Sequence, residues 1–488
     1  MKDPLARTLS GSRQRGAASL VVVMVLFFVV SLAAAYASRN LIFEQKTAAN
    51  QARSTLAFEA ADAGVEWALA QLNGGVINNS CGDATPTTSF QQRYVAIAAN
   101  GNLSQNIRST QIAGDWWPTC VFDGAQWSCS CPNASAATLT AATSGSGPFP
   151  AFRVWVATPE ATAPTSSPWV APTVPRPGLM PLISVGCSRL PAASSDTCLD
   201  YLPRSDIGEG LSSVHVMLAL RSGLAVPPAA AVTARMGVAP ATLAPKLRVV
   251  NADTGSGGFT VNAGILFTAA DKGLFDVHSV PGTPAEQSFA DDDKKLDALS
   301  ITAPTTTPPA PPALTAGERM FVSILGMKRD TYRQQPGLRR CPSPPSTTCT
   351  AADINALLAQ NPGRIIWVDG NLTLDADIGV LAPVLLVIDG TSLTLGNDVD
   401  ITGFVYITGR TPPAGAASAV TVNLPNTPTS ITGALVSETS LLTSYTSAPA
   451  ATDELSVIYS PAVLNTLRIG YGSWVRLGGG WRDFKANP

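Results

Sequence analysis

Hydrophobic positions fall into three rhythms along this chain. The first is an uncharged apolar run from Ala17 to Ala37 (AASLVVVMVLFFVVSLAAAYA). About 20 apolar residues at 1.5 Å each span the hydrocarbon core of a bilayer, so this run predicts one membrane-crossing helix. The second rhythm, Ser38 to Leu72, has no proline or turn cluster, and helix formers recur: Leu41, Phe43, Ala48, Ala49, Ala52, Leu56, Ala60, Ala63, Trp67 and Leu69. Asn73-Gly74-Gly75 then supplies a stop. Together the two predict a single long helix, membrane-embedded at first and amphipathic later.

The third rhythm, past Gly75, is that of short strands. Arg93-Tyr94-Val95-Ala96-Ile97 and Phe152-Arg153-Val154-Trp155-Val156 are strand-like. Ser212 to Leu220 alternates, with Val214, Val216, Leu218 and Leu220 on one face and His215 on the other, toward solvent. These strands are expected to pack on the polar half of the helix. Thr158 to Pro181 reads as an inserted loop, and Thr302 to Pro312 (TAPTTTPPAPP) as a stiff linker.

After that linker comes an internal repeat. Ile365-Ile366-Trp367-Val368-Asp369-Gly370 is echoed by Leu385-Leu386-Val387-Ile388-Asp389-Gly390, and each is followed by Leu-Thr-Leu, at 372–374 and 393–395. Ile401-Thr402-Gly403-Phe404-Val405-Tyr406 is echoed by Ile431-Thr432-Gly433-Ala434-Leu435-Val436. A period of about twenty residues with β-branched triplets and turn-forming Asp-Gly or Thr-Gly is what a β-solenoid coil requires, each coil burying its apolar residues on a neighbour. The same strands could instead form an ordinary antiparallel sheet; the repeat favours a short β-helix-like domain from Ile365 to about Val457. The fold class is therefore α+β: a long amino-terminal helix packed on a β-sheet, followed by a β-rich, β-helix-like carboxyl-terminal domain.

Charge changes the picture at the start of the chain. Lys2, Arg7, Arg13 and Arg15 precede the apolar run, so the amino end should stay cytoplasmic and the rest should go outside. Only Gly16 separates the last arginine from hydrocarbon. One reading is a secretory signal peptide cut late, among Ala33 to Ala37. The other is a class III prepilin leader cut between Gly16 and Ala17, which leaves the apolar segment on the mature protein. The run exceeds the roughly 7–15 apolar residues of a signal-peptide core, and the helical pattern continues beyond it, which favours the second.

The remainder, in a chain of 488 residues with formal net charge −2, is poor in charge and rich in Gly, Pro, Thr, Ser and Ala. This suits an extracytoplasmic β-rich protein and gives nucleic-acid binding no support. All eight cysteines (81, 120, 129, 131, 187, 198, 341 and 349) follow the apolar helix, which reads as disulfides formed on the oxidising side. Spacing favours Cys187–Cys198 and Cys341–Cys349; Cys81, Cys120, Cys129 and Cys131 then pair among themselves, with Cys129 and Cys131 joined to different partners. With two histidines and one Cys-x-Cys, zinc is not expected.

Candidate chemistry is sparse. No HExxH, GxSxG or Walker A motif occurs, and neither His215 nor His278 sits in a nucleophile–base context, so no catalytic residue, cofactor or metal is assigned and an enzyme is not expected. Asp291-Asp292-Asp293-Lys294-Lys295 reads as a solvated loop. Asn251-Ala252-Asp253-Thr254-Gly255 could offer oxygens to calcium but lacks a full calcium-loop pattern.

The stretches QRGAASLVVVMVLFFVVSL and FEQKTAANQARSTLAFEAADAGVEWALAQL resemble the amino-terminal region of PilX-type minor pilins, the type IV pilus assembly proteins of that family. The matching pieces are the leader end at Gly16 and Ala17, the segment Glu44 to Asn50, and the segment Ala57 to Gly64, where Asp62 stands in place of the family's usual Glu. Weaker likeness continues in Phe152-Arg153-Val154, Leu247 to Asp253 and Pro362 to Leu374. Most pilins carry a glutamate five residues into the mature chain, and here that position is Val21.

The resemblance implies a leader (1–16), a transmembrane and stalk helix (17–75) and a pilin-like globular domain with inserted loops (76–301); the linker (302–313) and the solenoid-like domain (314–488), read from composition and repeat, complete the expected organisation. It also implies a subunit that primes pilus assembly and sits at the pilus tip. Before assembly that subunit would cross the inner membrane once, with its body in the periplasm. Its partners would be prepilin peptidase, inner-membrane lipid, other minor pilins, the major pilin and a tip adhesin. Two alternatives differ: a minor pseudopilin of type II secretion, and a secreted β-helical adhesin with a cleaved signal.

Overall fold

In the computed structural model one helix runs unbroken through Arg15–Leu72. The structure describes residues 15–83, 88–106, 117–133, 149–156, 177–189, 210–239, 246–296, 314–342, 348–410, 417–425, 427–445 and 455–482. The linker Thr302 to Pro312, most of the Thr158 to Pro181 segment, Cys198 and the leader before Arg15 lie outside them. Of the inserted-loop segment, Leu179 to Pro181 belongs to a strand, Leu179–Cys187.

The last turns of the helix lie on an antiparallel sheet of six strands, in the order Gly472–Arg482, Leu211–Ser222, Leu179–Cys187, Ala151–Val156, Thr119–Phe122 and Trp127–Ser130. Ala61, Val65, Ala68 and Leu72 share one apolar core with Phe152, Val154, Met180, Leu182, Val214, Val216 and Leu218. The alternation read in Ser212 to Leu220 thus points at the helix. Residues expected as a strand from Arg93 begin as a short helix, Phe90–Tyr94, capped by Ser89, with only Val95–Ile97 extended. Ser89 accepts from the Gln92 amide while the Gln92 side chain returns to the Ser89 amide, and that reciprocal cap selects helix over strand locally.

The second region is a coil of parallel strands alternating between two sheets. In the larger, Leu338–Cys341, Ile365–Asp369, Val384–Asp389, Asp400–Ile407, Thr429–Ser437 and Leu455–Tyr459 stack in parallel. In the smaller, Leu372–Leu374, Ser392–Leu395, Val420–Leu424 and Leu441–Tyr445 do the same. The repeats read in the sequence pair residue on residue: Ile365 with Leu385, Leu372 with Leu393, Ile401 with Ile431. The larger sheet is buried on both faces, inward through Ile366, Val368, Leu386, Ile388, Val405 and Ile407, outward through Trp367, Val387, Phe404 and Tyr406 under the helices Ala316–Leu325 and Pro461–Gly470. Hence its strands read as solid apolar runs, whereas Leu372-Thr373-Leu374, open on one face, alternates. Gly433 has φ +143°, and a Cβ there would run into the Gly403 carbonyl of the strand beside it, so the Thr-Gly of the repeat is a steric requirement of stacking.

The boundary expected at 302–313 does not separate these regions. Val232–Ala234, Leu247–Val250, Val261–Ala263, Phe275–His278 and Phe289–Ala290, all before it, extend the coil, Leu247–Val250 pairing with Leu455–Tyr459. Conversely, Gly472–Arg482, near the carboxyl end, returns to the antiparallel sheet beside Leu211–Ser222. Parallel pairing requires only that strand edges meet in space, so strands distant in sequence complete each other's ladders. The coil accordingly extends well beyond Ile365 to Val457.

Candidate assembly helix and its junction

The two halves of the long helix have opposite surroundings. From Leu20 to Phe43 every large apolar side chain is exposed, including Val21, Phe27 and Phe28. The described helix Ala18–Leu72 is long and apolar enough to cross a membrane, and none of its most apolar stretch is buried inside the protein. From Ala57 onward one face disappears into the core: Ala57, Ala61, Val65, Ala68 and Leu72 are fully buried. Their spacing is that of a single helical stripe, and most of them are small.

Small residues let helix and sheet approach closely. A Cβ at Gly64 would overlap the Ser184 hydroxyl and the Phe152 ring, and one at Gly186 would overlap the helix backbone at Ala57 and Ala61. The Ala57 to Gly64 segment is thus the contact stripe itself. Asp62 lies on the open side, 3.7 Å from Arg476, which pairs more closely with Glu66 at 2.7 Å. Such exposed pairs contribute little.

At its carboxyl end the helix meets the coil. The Asn73 side chain behaves like a strand residue, donating to the Trp474 carbonyl (2.9 Å) and accepting from its amide (2.8 Å), while the Trp474 indole donates to Gln91 (3.0 Å). The Val76 amide donates to the Gln360 carbonyl at 2.8 Å. Two arginines from the coil close the end. Arg364, fully buried, donates to the carbonyls of Leu72, Gly74 (3.3 Å) and Gly472 (3.1 Å). Arg339 donates to the Asn73 carbonyl at 2.6 Å and to Asn361 at 2.7 Å. The last carbonyls of a helix lack partners within it and carry its negative dipole end, so cations suit this place. Burial, and then the neighbouring Arg339, push the Arg364 pKa down to about 9; burial lowers that of Arg339.

Gly16 and Ala17 lie within the first turn of the helix. Cys81 is bonded to Cys131, Cys120 to Cys129, and Cys341 to Cys349. Cys187 is also disulfide-bonded. Cys120–Cys129 clasps the two strands of the edge hairpin, and Cys81–Cys131 ties the segment before the short helix Phe90–Tyr94 to the end of that hairpin, beside the buried Arg93, which donates to the carbonyls of Asn78, Ile77 and Cys131.

Other sequence candidates fall elsewhere. His215 is buried, not solvent-facing: it lies in a cross-strand row with Ile183 and Trp155, a second apolar cluster on the outer face of the sheet. His278 is half exposed and pairs with Asp276 at 3.1 Å. The acidic run is anchored rather than free, Asp291 pairing with Lys272 at 3.1 Å and Asp293 accepting from Asn262 at 3.2 Å. In the Asn251 to Gly255 loop, oxygens are turned onto its own chain: Asn251 Oδ1 accepts from the Asp253 amide and Asp253 from the Ser256 amide. No group of three metal-ligating side chains occurs among the described residues. Arg339, Arg364 and Trp474 escaped the sequence reading, which took Asn73 only as part of the helix stop. The available signal was Arg364 itself, a charge directly before the apolar run Ile365 to Val368.

Comparison with known proteins agrees on the helix. Residues 15–66 match the family model for the PilX N-terminal region. No curated protein matches the chain. Among solved structures, the competence-associated pilin ComZ from Thermus thermophilus aligns over 89% of this chain and 98% of its own, with 11% identity and a TM-score of 0.22.

Proposed function

Since the amino-terminal region is of the PilX pilin type, we propose that the chain is a minor pilin that takes part in priming type IV pilus assembly and sits at the pilus tip. The observation that carries this is a single helix whose first half is apolar and bare while its second half is built into the folded body. Such a helix is held in the inner membrane by one half and can be drawn into a filament without refolding the other. Arg15-Gly16 at the edge of the apolar run is where prepilin peptidase would cut, ahead of Ala17. The basic residues before it would keep that end cytoplasmic and place the body in the periplasm.

Val21 supports the tip. A mature pilin amine buried in a filament without a neighbouring carboxylate is costly, because its hydration is lost without a partner charge. A subunit with valine there suits the position where no further amine arrives from above, and the large coil suits a place free of neighbours on one side. The partners on this reading are other minor pilins, the major pilin, membrane lipid and a tip adhesin, and the role is structural rather than enzymatic.

Sequencing the mature amino terminus tests the first step: Ala17 is expected, and Ser38 would overturn the reading, since the helix would then have lost its membrane half. Gold labelling of purified pili tests the second, with label at one end expected. Label along the whole length would overturn the tip position.

A further inference from the structure

Around the helix end, directional polar contacts join the antiparallel sheet to the coil. The Gly472 amide donates to Gly363 (3.2 Å), the Gly337 amide to the Ser473 hydroxyl (2.9 Å), and the Tyr332 hydroxyl to the Gly223 carbonyl (2.8 Å). Hydrogen bonds weaken steeply off their preferred angles, so a polar joint fixes an orientation that an apolar one would leave free to slide. At its centre lies Arg364, whose neighbouring charge is another cation, Arg339.

We propose that Arg339 and Arg364 lock the stalk helix and the coil into one body, with the burial of Arg364 as the barrier to bending between them. The carbonyls of Leu72 and Gly74 belong to the helix end, that of Gly472 to the returning strand, and Arg364 to the coil. Any hinge motion at Asn73 to Gly75 withdraws two of these three acceptors at once. A buried guanidinium left with one carbonyl is strongly unfavourable, so the joint opens only if water reaches Arg364. Arg339, half-buried, adds a further bond one carbonyl on, at Asn73. Through this lock a pull on the helix is delivered to the coil without play. The lock goes beyond the pilin reading and stands without it, since it rests on the junction alone.

Hydrogen exchange on the full chain in detergent, read by mass spectrometry, tests this. In Arg364→Met combined with Arg339→Gln, the amides of Asn73, Val76 and Trp474 should exchange on the order of tenfold faster or more. Those of Val384–Asp389 and Leu179–Cys187 should keep their rates. Unchanged rates at Asn73 to Val76 would overturn the proposal. So would an equal acceleration across coil and sheet, because the arginines would then support folding at large and not the joint. Arg339→Gln alone leaves Arg364 its own acceptors, and serves if the double variant fails to fold. It should speed the same amides by a smaller factor, and no acceleration there would also overturn the lock.

Discussion

The antiparallel sheet and the parallel coil bury their strands by opposite means, and so fail in opposite ways. The sheet leans one face on a helix stripe made mostly of small residues, Ala57, Ala61, Gly64 and Ala68, where contact depends on how little side chain stands between the backbones. The coil fills its interior with Ile, Leu and Val stacked on their counterparts in the next strand, so contact there depends on how much side chain is present. A site that is tight because it is empty is sensitive to added atoms. One that is tight because it is full is sensitive to removed ones.

The largest effect should come where the two means meet. Phe152 lies in the sheet core against Gly64 and Trp67, and Phe152→Ala should cost about 3–5 kcal/mol. In calorimetry the sheet transition should move down while the coil transition stays. A single transition moving as a whole would break the comparison, showing one cooperative unit.

Ile388 stacks between Val368 and Ile407 inside the coil, and Ile388→Ala should cost about 2–4 kcal/mol, felt by the coil alone. Amide exchange in Ile365–Asp369 and Asp400–Ile407 should speed up, with no change in Leu211–Ser222.

Gly64→Ala sharpens the comparison through its sign. In an exposed helix this change stabilises by about 1 kcal/mol, because glycine is the poorer helix former. Here the methyl group meets Ser184 and Phe152, so a loss of about 1–3 kcal/mol is expected in chemical denaturation. A gain would mean that helix and sheet are not in close contact.

The smallest effect concerns the helix Ala351–Gln360 beside the coil. The Thr350 side chain and amide hold the Asp353 carboxylate below its usual pKa of 3.8. A carboxylate with a depressed folded pKa stabilises fully above its unfolded value and loses that contribution as pH falls through the folded one. Exchange of the first amides of this helix should therefore rise only below about pH 4. Thr350→Ala should abolish that pH dependence, and an unaltered profile would refute the cap.

Much of the architecture was legible beforehand. The apolar run, the amphipathic continuation and the Asn73-Gly74-Gly75 stop foretell the helix to within a few residues, and the repeats foretell which coil strands pair. His215 misled because alternation tells which residues share a face, not whether the second face is covered too. The short helix at Phe90 was hidden because its cap outweighs the strand propensity of Tyr94.

What the sequence alone determined was therefore local or periodic: the helix, its end, the alternation, and the stacking of like on like from Ile365 to Val436. Those features depend on residues a few positions apart, or on a repeated pattern that any neighbour can satisfy. Tertiary structure alone decided that residues 232–290 continue the coil, that residues 472–482 return to the sheet, that Cys81 joins Cys131, and that Arg339 and Arg364 close the end of the helix. Each of these unites groups far apart in the chain, and nothing near either partner encodes the other. Only when the whole fold brings an unsatisfied carbonyl, an open strand edge or a thiol within reach does the partner become determined.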